Sequence, residues 1–254
     1  MINFDILKNK VIKELALPSI SNDIMDLVNQ SILNCLENYN LIKEIKKVDI
    51  TILKKHLPKT DTAWKTLGDS KAVYIGLLSL GQKSQSYLDS FIDKSSFEMY
   101  LINVIYNLIL DECFSQVWGN LQDNLKDNYG LTSIVAPGER DFCLELQKII
   151  FAFVSSPEVY LDQETLFMTP LKSMTFLIGE GENIPSYNLA QRCYDCHNLK
   201  CQQRLIEIKI NNVKYQVPYQ KRLYDVLVDK RIFFDSFCGG NHQCGKCKVI
   251  IVKD

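Results

Sequence analysis

The chain has 254 residues, 46% hydrophobic and 23% charged, with a formal net charge of −1. That length gives room for one large or two smaller domains, each able to bury a core. So neutral a balance excludes a chain-wide nucleic-acid surface.

The start, Met1-Ile2-Asn3-Phe4-Asp5, lacks the basic segment and apolar core of an export signal. The most apolar run, residues 99–110, carries Asn103 and Asn107 and is too short to span a bilayer. These features predict a soluble protein of a reducing cytoplasm, with neither a membrane nor a nucleic acid as partner.

In chain order, residues 7–16 and 22–38 read as helices. Pro18, Ser19 and Ser21 supply the break and a candidate N-cap, and Ile24, Leu27, Val28, Ile32 and Cys35 share one face. Residues 41–53 alternate as a strand does, and His56-Leu57-Pro58 turns the chain. The run 72–80, ended by Gly81, predicts a buried strand. Residues 97 to about 125 hold the longest helical pattern, with Met99, Ile102, Ile105, Tyr106, Ile109, Cys113, Val117 and Leu121 at three-to-four spacing.

Gly130 closes that region and 135–140 is a turn. Residues 141–154 return to helix, 171–178 form a strand between Pro170 and Gly179, and 179–187 are an exit loop. From Arg204 the pattern changes. Residues 205–210 and 213–217 form a hairpin around Asn211-Asn212, and 221–229 a helix. The domain boundary is therefore expected near residue 203.

Charge is uneven across that boundary: residues 203–254 carry ten Lys and Arg against five Asp and Glu. Six of the nine cysteines also crowd into residues 193–247. In a reducing compartment clustered cysteines point to metal rather than to disulfides.

Cys238, Cys244 and Cys247 stand at C-x5-C-x2-C spacing with Gly239, Gly240 and Gly245 between them. Thiolates in a glycine-rich loop suit an iron–sulfur cluster, whose sulfurs need close backbone N–H groups. With His242 the same loop also offers a Cys3His zinc tetrahedron. Hairpin, helix and cysteine loop in this order resemble the first half of adrenodoxin-type and plant-type ferredoxin domains. The resemblance implies a 2Fe–2S cluster with Cys238, Cys244 and Cys247 as three of its ligands. That family's fourth ligand follows a few dozen residues later, whereas this sequence ends seven residues after Cys247. The expectation is thus a partial β-grasp domain over 204–254, cut short after the third cysteine.

Cys193, Cys196 and Cys201 form a second array, C-x2-C-x4-C, suited to zinc or a further iron–sulfur centre, with His197 or Cys143 as fourth donor.

Upstream, Leu131-Thr132-Ser133-Ile134-Val135-Ala136-Pro137-Gly138-Glu139 is followed by Met168-Thr169-Pro170-Leu171-Lys172-Ser173-Met174 and Phe176-Leu177-Ile178-Gly179. This order resembles the activation domain of vitamin B12-dependent methionine synthase and its stand-alone relatives, over about residues 10–204. The resemblance implies an α+β chain: an activation-like mixed domain over 1–203, then the ferredoxin-like one.

It also implies S-adenosylmethionine beside a corrinoid, with Ala136, Pro137 and Gly138 lining the ligand through their backbone and Glu112 facing its cationic end. The family's turn tyrosine is Glu139 here, and its arginine three residues before the proline is Ile134. Both changes predict weakened S-adenosylmethionine binding.

The implied role is accessory: electron transfer that reactivates a cobalamin- or corrinoid-dependent methyltransferase, with an electron donor and the corrinoid protein as partners. The alternatives are a non-catalytic, zinc-stabilised interaction module and an inactive truncated fragment of a larger corrinoid activator. No P-loop, dinucleotide fingerprint or nucleophile elbow occurs in the sequence.

Overall fold

A computed structural model describes residues 2–15, 21–57, 61–93, 95–139, 142–185, 187–189, 205–218, 221–234 and 249–250. The chain is mixed α and β and divides into two compact units, Met1–Tyr187 and Asn188–Asp254. The boundary expected near residue 203 falls inside the second of these.

The first unit is built on an antiparallel sheet in the order β1-β2-β6-β3. These strands are β1 (Ile42–Asp49), β2 (Ala72–Ser79), β3 (Tyr129–Leu131) and β6 (Ser173–Glu182). Antiparallel pairing sends alternate residues to opposite faces. Val73, Ile75 and Leu77 of β2 and Leu177 of β6 therefore join one core cluster. It is covered by α3 (Ile50–Lys54), α4 (Thr62–Thr66) and α7 (Leu146–Phe153).

On the opposite face, Phe176 packs edge-on against Phe114 with ring centroids 5.1 Å apart. Phe114 lies on α6 (Ser96–Asp123), which shares a second cluster with α1 (Phe4–Leu15), α2 (Asn22–Glu37) and α5 (Gly81–Asp89). The hydroxyl of fully buried Tyr106 donates to Asn38 O at 2.8 Å, fastening α6 to the end of α2. A short pair, β4 (Tyr160–Leu161) with β5 (Met168–Thr169), precedes the cis Thr169–Pro170 bond and β6.

Helix starts follow capping chemistry. The Ser21 side chain accepts from Ile24 N, Asp49 from Thr51 N, Asp61 from Ala63 N and Ser95 from Glu98 N. Among the described residues, no helix is long and apolar enough to cross a membrane.

Several expectations are adjusted. The strand expected over 41–53 stops at Asp49, whose side chain caps α3 and turns the next residues helical. The helix expected over 141–154 is regular only from Leu146 to Phe153. It is entered through tight bonds from Leu146 N to Cys143 O and from Gln147 N to Leu144 O. β6 runs on through Gly179 to Glu182, because β2 and β3 flank that end of it.

Gly81 opens α5 rather than merely closing β2. Its φ is +72°, and an added Cβ would sit 2.6 Å from Asn40 O, so only glycine suits the turn.

In the second unit, β7 (Leu205–Ile210) and β8 (Val213–Pro218) form the expected hairpin. Asn211 and Asn212 both have positive φ, the conformation that matches strand twist in a two-residue turn. Helix α8 (Leu223–Asp229) buries Val226 and Leu227, and Tyr224 meets Phe234 edge-on at 5.2 Å.

Candidate functional site

The six cysteines of the two arrays, Cys193, Cys196, Cys201, Cys238, Cys244 and Cys247, lie outside the described residues. What is described is the approach to the second array. The hairpin leads into α8, and residues 230–234 lead from it towards Cys238. Arg222 Nε and Nη2 hold both carboxylate oxygens of Asp225 at 2.8 and 3.0 Å, across the first turn of α8.

Among the described residues no group of three His, Cys, Asp or Glu is arranged to hold a metal. Two of the scattered thiols are structural. Burial pushes Cys35 up to about 12 and Cys113 up to about 11, so both stay protonated core groups. Cys143 is exposed beside Glu145, whose carboxylate raises its thiol through a hydrogen bond.

The 136–138 turn springs from the sheet edge. Val135 exchanges backbone bonds with Leu177 at 2.9 and 2.8 Å. Glu139 N then donates to Ala136 O at 3.0 Å, and Gly138 N to Phe142 O at 3.1 Å. Gly138 has φ +80°, and a Cβ there would meet Leu144 Cδ1 at 3.1 Å. Ala136 is buried, and Ile134, at the position of the family's arginine, is only 1% exposed. An apolar interior thus occupies the place where the resemblance implies a carboxylate-binding cation.

Glu112 is placed elsewhere. It projects from α6 towards α1 and pairs with Lys10 at 2.9 Å. Phe142 and α7, into which the turn leads, belong to the cluster on the Leu177 face of the sheet, whereas α6 covers the Phe176 face. The carboxylate and the turn therefore feed opposite faces.

Two polar sites escaped the sequence reading. In the first, Glu180 of β6 is 5% exposed, and its carboxylate accepts from Lys47 Nζ at 2.7 and 2.8 Å and from the Tyr74 hydroxyl at 2.5 Å. Burial, with this carboxylate beside it, holds the Tyr74 phenol above its ordinary value.

In the second, Lys172 is 8% exposed at the entrance to β6 and donates to Asn103 Oδ1 and Asn107 Oδ1 of α6 at 2.5 and 2.7 Å. Burial alone pushes its ammonium down to about 8. No sequence pattern marks either residue. Their one signal was a charged side chain within or beside an apolar strand.

No family model matches the chain, and no curated protein matches it.

Proposed function

We propose that this chain is an accessory electron-transfer protein that reactivates a corrinoid-dependent methyltransferase. In this reading the first unit is an activation-type domain that recognises the corrinoid protein. The second is a ferredoxin-like module holding a 2Fe–2S cluster through Cys238, Cys244 and Cys247. When bound, the cluster supplies single electrons at low potential.

The observation that carries the reading is the order of parts in the second unit: hairpin β7–β8, helix α8, then a glycine-rich C-x5-C-x2-C loop. Three thiolates in one loop are the donor set such a cluster takes from a single segment. Covalent attachment supports the pairing of the two units, because it keeps the donor at high effective concentration near whatever the first unit binds. S-adenosylmethionine enters as a weak ligand of the Ala136–Gly138 turn, since Ile134 and Glu139 replace the groups that would hold its carboxylate and stack on it.

Anaerobic reconstitution with iron and sulfide tests the cluster. The expected product is reddish-brown, with visible absorption bands that bleach on reduction and are lost in Cys244→Ser. A colourless protein that retains stoichiometric zinc after metal-replete expression sinks the proposal in favour of a zinc-stabilised interaction module.

A further inference from the structure

Lys172 is a buried ammonium whose polar contacts are all to uncharged groups. Its nitrogen donates to Asn103 Oδ1 at 2.5 Å, to Asn107 Oδ1 at 2.7 Å and, more distantly, to Asn103 O at 3.5 Å. No carboxylate among the described residues pairs with it, in contrast to Lys10, Lys47 and Lys71, each matched to a glutamate. A charge removed from water without a counter-ion is costly, so proteins seldom keep one without a use for it.

The two asparagines sharpen the point. An ammonium has no acceptor, so both side-chain oxygens must face Nζ, and both NH2 groups must face away from it. Within the described residues those NH2 groups make no hydrogen bond. Asn103 and Asn107 are four residues apart on α6, and such neighbours lie ~5–6 Å apart on one helix face. Asn107 is exposed and Asn103 half-buried, so this pair of donors opens to solvent directly above the cation. Leu171, 57% exposed, borders the position from the β6 side, and Tyr100, 50% exposed, continues the same helical stripe one turn before Asn103.

We propose that Lys172, Asn103 and Asn107 form a binding site for a carboxylate that carries an apolar group. The two amide NH2 groups bind the oxygens, the ammonium beneath supplies the missing charge balance, and Leu171 and Tyr100 flank the apolar substituent. The carboxylate belongs either to a small molecule or to a glutamate side chain of a protein. Both present the same chemistry, and the site lies on the α6 face of the sheet, away from the 136–138 turn.

The test is protection of Lys172 from amine acylation in the full chain, read by peptide mass spectrometry, with two probes. One is phenylacetate and the other is the blocked peptide acetyl-Leu-Glu-Leu-amide. Either probe is expected to slow acylation of Lys172 several-fold, with chloride at equal ionic strength leaving it unchanged and the exposed lysines unaffected throughout. Asn107→Ala removes one donor from the surface of α6 without touching the core. It should weaken protection about tenfold in probe concentration, the scale of one hydrogen bond to a charged group. Stronger protection by phenylacetate assigns the site to a small molecule, and stronger protection by the peptide assigns it to a protein side chain. Acylation of Lys172 that neither probe slows, or protection undiminished in Asn107→Ala, overturns the proposal.

Discussion

Phe176 lies directly across the β2–β6 ladder from Gly76, and its ring occupies the space that a side chain at residue 76 would need. A Cβ at that position would come within 2.0 Å of the ring's Cζ. The ring cannot simply swing aside, because its other side stacks on Phe114 of α6. The missing side chain of one strand is thus what lets the neighbouring strand's aromatic lie flat beneath the long helix.

Gly76→Ala is therefore expected to destabilise the first unit by about 2–3 kcal/mol, the cost of overpacking a full core. Urea unfolding measures it. The double variant Gly76→Ala with Phe176→Leu should recover part of the loss, since the obstructing ring is gone. A neutral Gly76→Ala would contradict the packing.

The buried ammonium of Lys172 predicts how stability depends on pH. Below about 8 both the folded and the unfolded chain hold this proton. The cost of burying the charge is then present in full and does not vary with pH. Between about 8 in the folded state and ~10.4 in the unfolded one, the unfolded chain binds more protons, so stability rises with pH. The rise is on the order of 3 kcal/mol across that window. Other lysines and tyrosines titrate nearby, so the quantity to read is the difference between wild type and Lys172→Met. That variant should be the more stable one at neutral pH and lose its advantage as pH climbs past 8. A difference that does not change with pH would show that the ammonium is not desolvated.

Lys47 and Glu180 make an asymmetric pair. Glu180 has 6% of its side chain exposed and Lys47 has 46%. Replacing Lys47 by Met leaves a buried carboxylate with Tyr74 as its remaining side-chain partner, expected to cost about 1–3 kcal/mol. Replacing Glu180 by Gln leaves a cation that water reaches, and costs under about 1 kcal/mol. Denaturant melts of the two variants should rank in that order, and equal costs would contradict the burial of Glu180.

These cases also mark where sequence reasoning reached and where it stopped. β2 was legible because Ala72–Ser79 is apolar on both faces, and α6 because its buried residues recur every three to four positions over 28 residues. α5 was not, since Gln82, Lys83, Gln85 and Ser86 show no apolar stripe and the helix opens on a positive-φ glycine. The turn into α3 was hidden because Ile50-Thr51-Ile52 continues the alternation of β1, while the Asp49 cap decides otherwise. Local propensity is overruled there by a single side-chain hydrogen bond.

Of the candidate sites, the spacing of the cysteine arrays and the form of the 136–138 turn could be read directly. The polar groups now singled out could not. Glu180 and Lys172 are ordinary charged residues in sequence, and their burial is a property of strands and helices brought together from distant positions.

The measurement that bears most directly on the proposed function follows the cobalt. The reconstituted, chemically reduced full chain is mixed anaerobically with cob(II)alamin bound to a methionine synthase cobalamin fragment and with S-adenosylmethionine. The paramagnetic cob(II)alamin signal is then followed by electron paramagnetic resonance. The account predicts that the signal decays as the cluster is oxidised, and that it persists when Cys244→Ser replaces the wild type. A cob(II)alamin signal that stays constant beside a cluster that stays reduced would contradict it.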